Sequence, residues 1–425
     1  MNRSHLLRRT LCAVCALTLA LALASPAALA AGDATTDNTQ ATLSRADAAQ
    51  MAQADAAVEA LVNSSAYDAM DLQQRQAAAQ EQLDQLASQG LIQADSVRYD
   101  QENNLYSFAY DCGVLGGILL TDWEDEDEEL VQLPLTVPEE LAFNPLDQTN
   151  DVMPLGNAIV YYAFDDTVDS NRYPYYTTMQ EYWNGWGLST TIDNDVTVSD
   201  LRHMDDYDLC IISTHGVYYS YTTGWLFKQV RTSPILVLRE ESSFWDDLRY
   251  GFDLLTHRVI KVNGVYCITP SFFESAYRGG QLNGTMIFSE ACEFFGTGNV
   301  IDLSMSTALL DGGASAVAGF VNNVYAIYSR SMLWGTVNQL IMGKNILQAV
   351  DAAAATYGPD DIYWYLSQGG TTPHRYASFA LVHGNDTATL YTLRNTRRRD
   401  PIALFSDLYY TECGRAVPLP HFLSV

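Results

Sequence analysis

Apolar and polar positions divide the chain into a short front part, helical and then extended, and a longer part where apolar strands alternate with helices. In residues 47–61 and 72–86 the apolar residues recur at helical spacing, with Leu72, Leu83 and Leu86 on roughly one face. Gly90 offers a C-terminal stop for the second helix. Residues 96–110 and 113–120 read as a strand pair with Asn103-Asn104 as a turn. Residues 133–154 carry four prolines and little periodicity, and read as a linker.

Beyond the linker, residues 157–164, 208–213, 285–289 and 314–320 are continuous apolar runs of strand length, and 377–382 is a last one. Helices are expected at 178–187, 198–204, 305–310, 326–342 and 346–357, the last two closed by Gly343 and Gly358. Apolar strands alternating with helices imply an α/β domain whose mostly parallel sheet is covered on both faces. Such sheets bind ligands beyond the carboxyl ends of their strands. The expected organisation is a leader at 1–30, a small N-terminal α+β module at 31–150, an α/β domain at 155–392 and a tail at 393–425.

The first thirty residues change the compartment. Arg3, Arg8 and Arg9 precede an apolar run at 11–24, and Ala28-Leu29-Ala30 has the small-x-small form of a cleavage site. The reading is a signal peptide and a secreted or cell-surface protein. The run is short for a spanning helix, and no later segment is apolar enough for one. The net charge of −28, with three of the basic residues in the leader, argues against nucleic acid or an anionic membrane as partner. Residues 124–129 are all acidic and read as a solvated loop or a Ca²⁺ site.

The chemistry lies at two strand ends. The run 208–213 ends in Thr214-His215-Gly216, and the run 285–289 ends in Glu290-Ala291-Cys292. A histidine or cysteine after a strand is usually structural. Two such ends in one sheet, one offering an imidazole and the other a thiol, fit nucleophilic catalysis: the thiolate attacks a carbonyl and the imidazole moves the proton. Gly216 and Cys292 are the candidate backbone donors for the oxyanion.

These blocks resemble clan CD cysteine peptidases, the group of caspases, legumain, clostripain and gingipains. The resemblance rests on DLCIISTHG (208–216) and TMIFSEAC (285–292), with Glu290-Ala291-Cys292-Glu293 most like legumain. It continues in STALLDGGASAVAGF (306–320), MGKNILQAVDAAAATYG (342–358) and LVHGNDTATL (381–390), and covers about 155–392. It implies a caspase-like three-layer α/β/α sandwich, a Cys292–His215 dyad, a thioester intermediate and a peptide or protein substrate. No cofactor is required, and Ca²⁺ enters as a structural ion by analogy alone. It also implies that Glu290 lines the pocket for the residue before the scissile bond, favouring Arg or Lys there or accepting bonds from an Asn amide. Asp165, Asp166, Asn322 and Asn323 are further pocket candidates. A non-catalytic binding module and a legumain-like transpeptidase remain alternatives.

The sequence departs from these families in the interval of 77 residues from His215 to Cys292, longer than is usual in them. The stretch reads as an inserted strand pair and helix beside the site, able to cover the cleft, dimerise or form a substrate wall. His203, His257, His374 and His383 show no metal-ligand spacing. Of the cysteines beyond the leader, Cys112, Cys210 and Cys267 sit on apolar strand patterns, Cys413 lies in the tail, and a Cys210–Cys267 disulfide is conceivable. Arg397-Arg398-Arg399 is either a self-cleavage site or a solvated turn. The sequence leaves the oligomeric state open.

Overall fold

The four apolar runs expected as strands lie side by side in one sheet. A computed structural model describes residues 42–121, 155–164, 175–223, 229–298, 300–361 and 377–390. The proposed leader, the acidic run 124–129, the linker, Asp165, Asp166, His374, the 397–399 arginines and Cys413 lie outside the described residues. The sheet comprises β4 (Gly156–Tyr162), β5 (Leu188–Asp193), β6 (Leu209–Ser213), β11 (Met286–Ser289), β14 (Ala316–Val321) and β15 (Phe379–Gly384), in the order β15-β14-β11-β6-β4-β5. Its neighbours are parallel except for the antiparallel edge strand β15.

Period-two alternation sends each strand's side chains to two cores. In β6, Leu209 and Ile211 enter one core and Cys210 and Ile212 the other. The first core is covered by α4 (Tyr175–Gly185), α9 (Ala326–Ile341) and α10 (Ile346–Tyr357), which bury Trp183, Trp334 and Val350. The second is covered by α7 (Pro270–Ala276) and α8 (Ser304–Asp311), which bury Phe272, Phe273 and Leu309. Helices on both faces of a mostly parallel sheet make this part an α/β sandwich.

Two local expectations change. Residues 198–204 form short 3₁₀ turns, Asp200–Arg202 and Met204–Asp206, instead of an α-helix. There the Asp200 carboxylate accepts the Thr197 backbone N–H at 2.8 Å, a local bond that competes with helix. In the N-terminal part, α1 (Arg45–Val62) and α3 (Leu72–Ser88) form as read, around the short α2 (Ser65–Asp68). The buried stripe of α3 is Arg75, Ala79, Leu83 and Leu86, while Leu72 in the first turn stays 42% exposed.

The stretch between His215 and Cys292 is more than a strand pair and helix. It contains β7 (Gly216–Thr223), β8 (Gln229–Glu241), α5 (Phe244–Arg249), α6 (Gly251–Leu255), β9 (Val259–Val262), β10 (Val265–Ile268) and α7. Its four strands join β1 (Arg98–Asp100), β2 (Leu105–Ala109) and β3 (Leu115–Leu119) of the N-terminal part in one seven-stranded sheet, ordered β1-β2-β3-β9-β10-β8-β7. The join is the parallel pair β3–β9, with Gly116 opposite Lys261. The two edges approach each other, since Ser220 of β7 donates to Asp100 of β1 at 2.7 Å. One face of this curled sheet adds Phe108, Leu238 and Tyr266 to the second core, and the other encloses a third core around Leu105, Tyr219, Ile260 and Cys267.

A buried ionic group ties the same parts together. Lys261, 1% exposed, pairs with Asp55 of α1 and with Asp247 of α5, the latter at 2.8 Å. Tyr110 and Tyr266 donate to the same two carboxylates. Cys210 and Cys267 sit in different cores and no disulfide joins them. Among the described residues no helix is long and apolar enough to cross a membrane.

Candidate active site

Strands β6 and β11 are parallel neighbours in register, with Met286 opposite Leu209 and Ser289 opposite Ile212. The next residue keeps step, as the Glu290 N–H donates to the Ile212 carbonyl at 2.9 Å. Three residues past Ile212 and Ser289 the two chains reach His215 and Cys292. Adjacent strands run about 4.8 Å apart, so equal advance brings both residues to one rim of the sheet. The approach continues one residue further on the His side. A Cβ added to Gly216 would lie 2.1 Å from the Cys292 carbonyl oxygen and 3.1 Å from the Ala291 Cβ. Glycine is required here because two backbones touch.

Each side chain of the pair has its own support. The His215 ring is half-buried and stands edge-on to Phe164 at the end of β4, with centroids 4.7 Å apart at 87°. Its carbonyl accepts the Val237 N–H of β8 at 3.0 Å, and the neighbouring Thr214 hydroxyl bonds the Val237 carbonyl. The stretch between His215 and Cys292 therefore fixes the histidine's backbone. Cys292 is also half-buried. Its Sγ lies 3.3 Å from the Val324 N–H, beyond the end of β14. The thiol in turn lies 3.5 Å from the Val324 carbonyl, so the Val324 peptide group meets the sulfur with both its donor and its acceptor. The ends of β4, β6, β11 and β14 thus supply Phe164, His215, Cys292 and Val324 to one place.

Glu290 is 5% exposed and turned inward. One carboxylate oxygen accepts the Tyr176 hydroxyl of α4 at 2.8 Å, and the other lies 3.4 Å from the Ser329 hydroxyl of α9. Tyr176 also contacts Ser213 at 2.6 Å and Arg330 Nε at 3.4 Å. Burial pushes the Glu290 carboxyl above its ordinary range, against the opposing pull of the Arg330 guanidinium and these hydroxyls. Asn322 sits at the end of β14 with φ +67°. Its side-chain oxygen accepts the Gly298 N–H, and its backbone N–H donates to the Gly296 carbonyl at 2.8 Å. Asn323 is exposed.

The sequence blocks did not assign roles to Phe164, Val324 or Glu293. Val324 acts through its backbone, which leaves no mark in residue type. Phe164 ends the strand run NAIVYYAF, and its place beside the His215 strand follows from sheet order. Glu293 adopts φ +54° and is 8% exposed. Its carboxylate accepts the Tyr218 N–H at 3.0 Å, and its own N–H donates to the Asn322 carbonyl at 2.9 Å. Burial, with the charges of Glu102 and Asp100 added, pushes its carboxyl up to about 7 against the pull of the Tyr218 N–H. A negatively charged residue name does not reveal a carboxyl that stays half-protonated near neutrality.

Among the described residues no group of three or more His, Cys, Asp or Glu side chains is arranged to hold a metal ion. Comparison of the sequence with protein-family models and with curated proteins returns no match.

Proposed function

We propose that the protein is an exported cysteine endopeptidase with a caspase-like fold. The Cys292 sulfur attacks the scissile carbonyl and His215 takes the thiol proton. The tetrahedral oxyanion is held by the backbone N–H groups of Gly216 and Cys292. Collapse breaks the C–N bond, His215 passes its proton to the leaving amine, and a thioester remains on Cys292. Water, deprotonated by His215, then releases the acid and restores the thiol. The observation that carries this reading is the packing of Gly216 against the Cys292 carbonyl at the ends of two in-register strands. It supports a shared rim for thiol and imidazole, which the chemistry needs. The α/β layers and the amide at sulfur are in keeping with it, and the basic-apolar leader supports export.

The burial of Glu290 bears on specificity. With Tyr176, Ser329 and the Arg330 charge around it, its carboxylate serves the interior beneath the nucleophile, so a basic residue before the scissile bond needs another acidic wall. Asp165 and Asp166, next to Phe164 in sequence, are the candidates. The test is an acyloxymethyl ketone probe offered with Arg or with Asn at that position. The enzyme reading expects covalent labelling that disappears in Cys292→Ala and falls strongly in His215→Ala. Unlabelled, folded wild-type protein with either probe sinks the peptidase and favours a binding module. An added amine nucleophile separates hydrolysis from transpeptidation by the product formed.

A further inference from the structure

Resting on the dyad reading above, we propose that Glu293 is a positioning residue, clamping the His-Gly strand and the 322–324 loop on either side of Cys292. Three features meet in it. Its backbone is left-handed at φ +54°, a conformation that costs a residue with a Cβ about 1 kcal/mol or more and persists where the surroundings enforce it. Its N–H donates to the Asn322 carbonyl at 2.9 Å, two residues before the Val324 amide that reaches the Cys292 sulfur at 3.3 Å. Its carboxylate accepts the Tyr218 N–H at 3.0 Å, two residues after Gly216 and three after His215. The residue following the nucleophile therefore bonds the strand that carries the base and the loop that caps the thiol.

The clamp is closed by further bonds. Asn322 is held to Gly296 and Gly298, so the carbonyl that Glu293 bonds belongs to a fixed turn. Tyr218 is 7% exposed, and its backbone N–H, bonded to Glu293, lies in a buried setting. Losing the carboxylate there leaves a buried donor unmade, which is costlier than losing an exposed bond.

The groups facing the Glu293 carboxyl are acidic or phenolic. Asp100 and Glu102 reach it from the β1–β2 turn, and Tyr218 of β7 faces it with Asp302 beside the Tyr218 ring. Near neutral pH the clamp changes from a carboxylic acid to a carboxylate. The Tyr218 bond then becomes charge-assisted, and a negative charge stands one residue from the thiol.

The test is the rate of iodoacetamide alkylation of Cys292 in the mature protein from pH 5 to 9, followed by mass spectrometry of the Cys292 peptide. This readout needs no known substrate. In Glu293→Ala the rate is expected to fall about tenfold or more, as for a site opened by a fraction of an ångström. Glu293→Gln keeps an oxygen for the Tyr218 N–H, so its rate at pH 6 should stay within about threefold of wild type. It cannot ionise, so the profile around neutral pH should lose the Glu293 contribution and keep only that of the thiol and imidazole. A purely structural side chain would leave the shape of the profile unchanged. Wild-type rates and profile in both variants overturn the clamp; if Glu293→Ala does not fold, an unchanged Glu293→Gln profile overturns it alone. His215→Ala is the separate control. If it alkylates like wild type, the dyad reading fails; if it is slow while the Glu293 variants match wild type, the clamp alone fails.

Discussion

Gly216→Ala is the sharpest perturbation of the site. The added methyl carbon would sit 2.1 Å from the Cys292 carbonyl oxygen, where ordinary van der Waals contact begins near 3.4 Å. The β6–β7 chain and the Cys292 backbone must therefore separate by about 1.3 Å, the difference of those distances. Neither side yields easily. The His215 carbonyl is bonded to Val237, and the Ala291 side chain is buried in the second core. Overpacking of this kind costs about 1–3 kcal/mol of stability. The chemistry should suffer as well, because moving a reacting group by about 1 Å costs on the order of a hundredfold in rate, about 2.7 kcal/mol. The assay pairs thermal denaturation with the rate of probe labelling at Cys292. The control is Gly319→Ala on β14, whose methyl would meet the Phe294 ring at 2.9 Å. It should lower stability comparably and slow labelling far less. Wild-type labelling by folded Gly216→Ala would refute the claim that the two strand ends touch.

Three further outcomes follow from buried charges. Lys261→Met removes the cation between Asp55 and Asp247 and should cost about 3–5 kcal/mol in denaturant unfolding; part of the loss should return at low pH as those carboxylates take up protons. Glu293, at about 7 in the folded chain against an ordinary 4.5, binds its proton more tightly when folded. The resulting stability is fully present below about pH 4.5 and lost as pH rises toward 7, by at most about 3 kcal/mol. Glu293→Gln should remove that slope in denaturation curves taken between pH 4.5 and 7.5. Arg330→Ala strips Glu290 of its opposing charge and should destabilise by about 3 kcal/mol near neutral pH, with the loss shrinking in acid; an equal loss at all pH values would show that Arg330 matters through packing alone.

The parallel strands and their helices were legible because a strand buried on both faces is a continuous apolar run, as in CIIS and MIFS, and such runs do not depend on partners far away in sequence. The placing of positions 215 and 292 at one rim was legible for the same reason: a parallel sheet presents its strand ends together, so strand boundaries suffice. Asp200 shows where that logic stops, since its side chain captured a neighbouring N–H and turned an apparent helix into two short turns. Glu290 shows another limit. A carboxylate two residues before a cysteine reads as a pocket wall, and only three-dimensional packing brings Tyr176 and Arg330 onto it.

The stretch between His215 and Cys292 is the part that spacing alone misjudged. As sequence it is an interruption. In the fold, β8 holds the His215 carbonyl, β10 holds β8, β9 holds β10, and β3 of the N-terminal part extends the row. Lys261 on β9 then binds Asp55 on α1 and Asp247 on α5 across that row. His215 is thus anchored to a sheet whose far half comes from residues 98–119. Removing residues 42–121 would expose the β9 edge and leave Lys261 and Asp247 without Asp55, Tyr110 and the second-core contacts of α1 and α3. The electrostatic reach of Asp100 and Glu102 to Glu293 follows the same route. The N-terminal segment therefore acts on the site twice, through the sheet that holds His215 and through the charge beside the residue that follows Cys292.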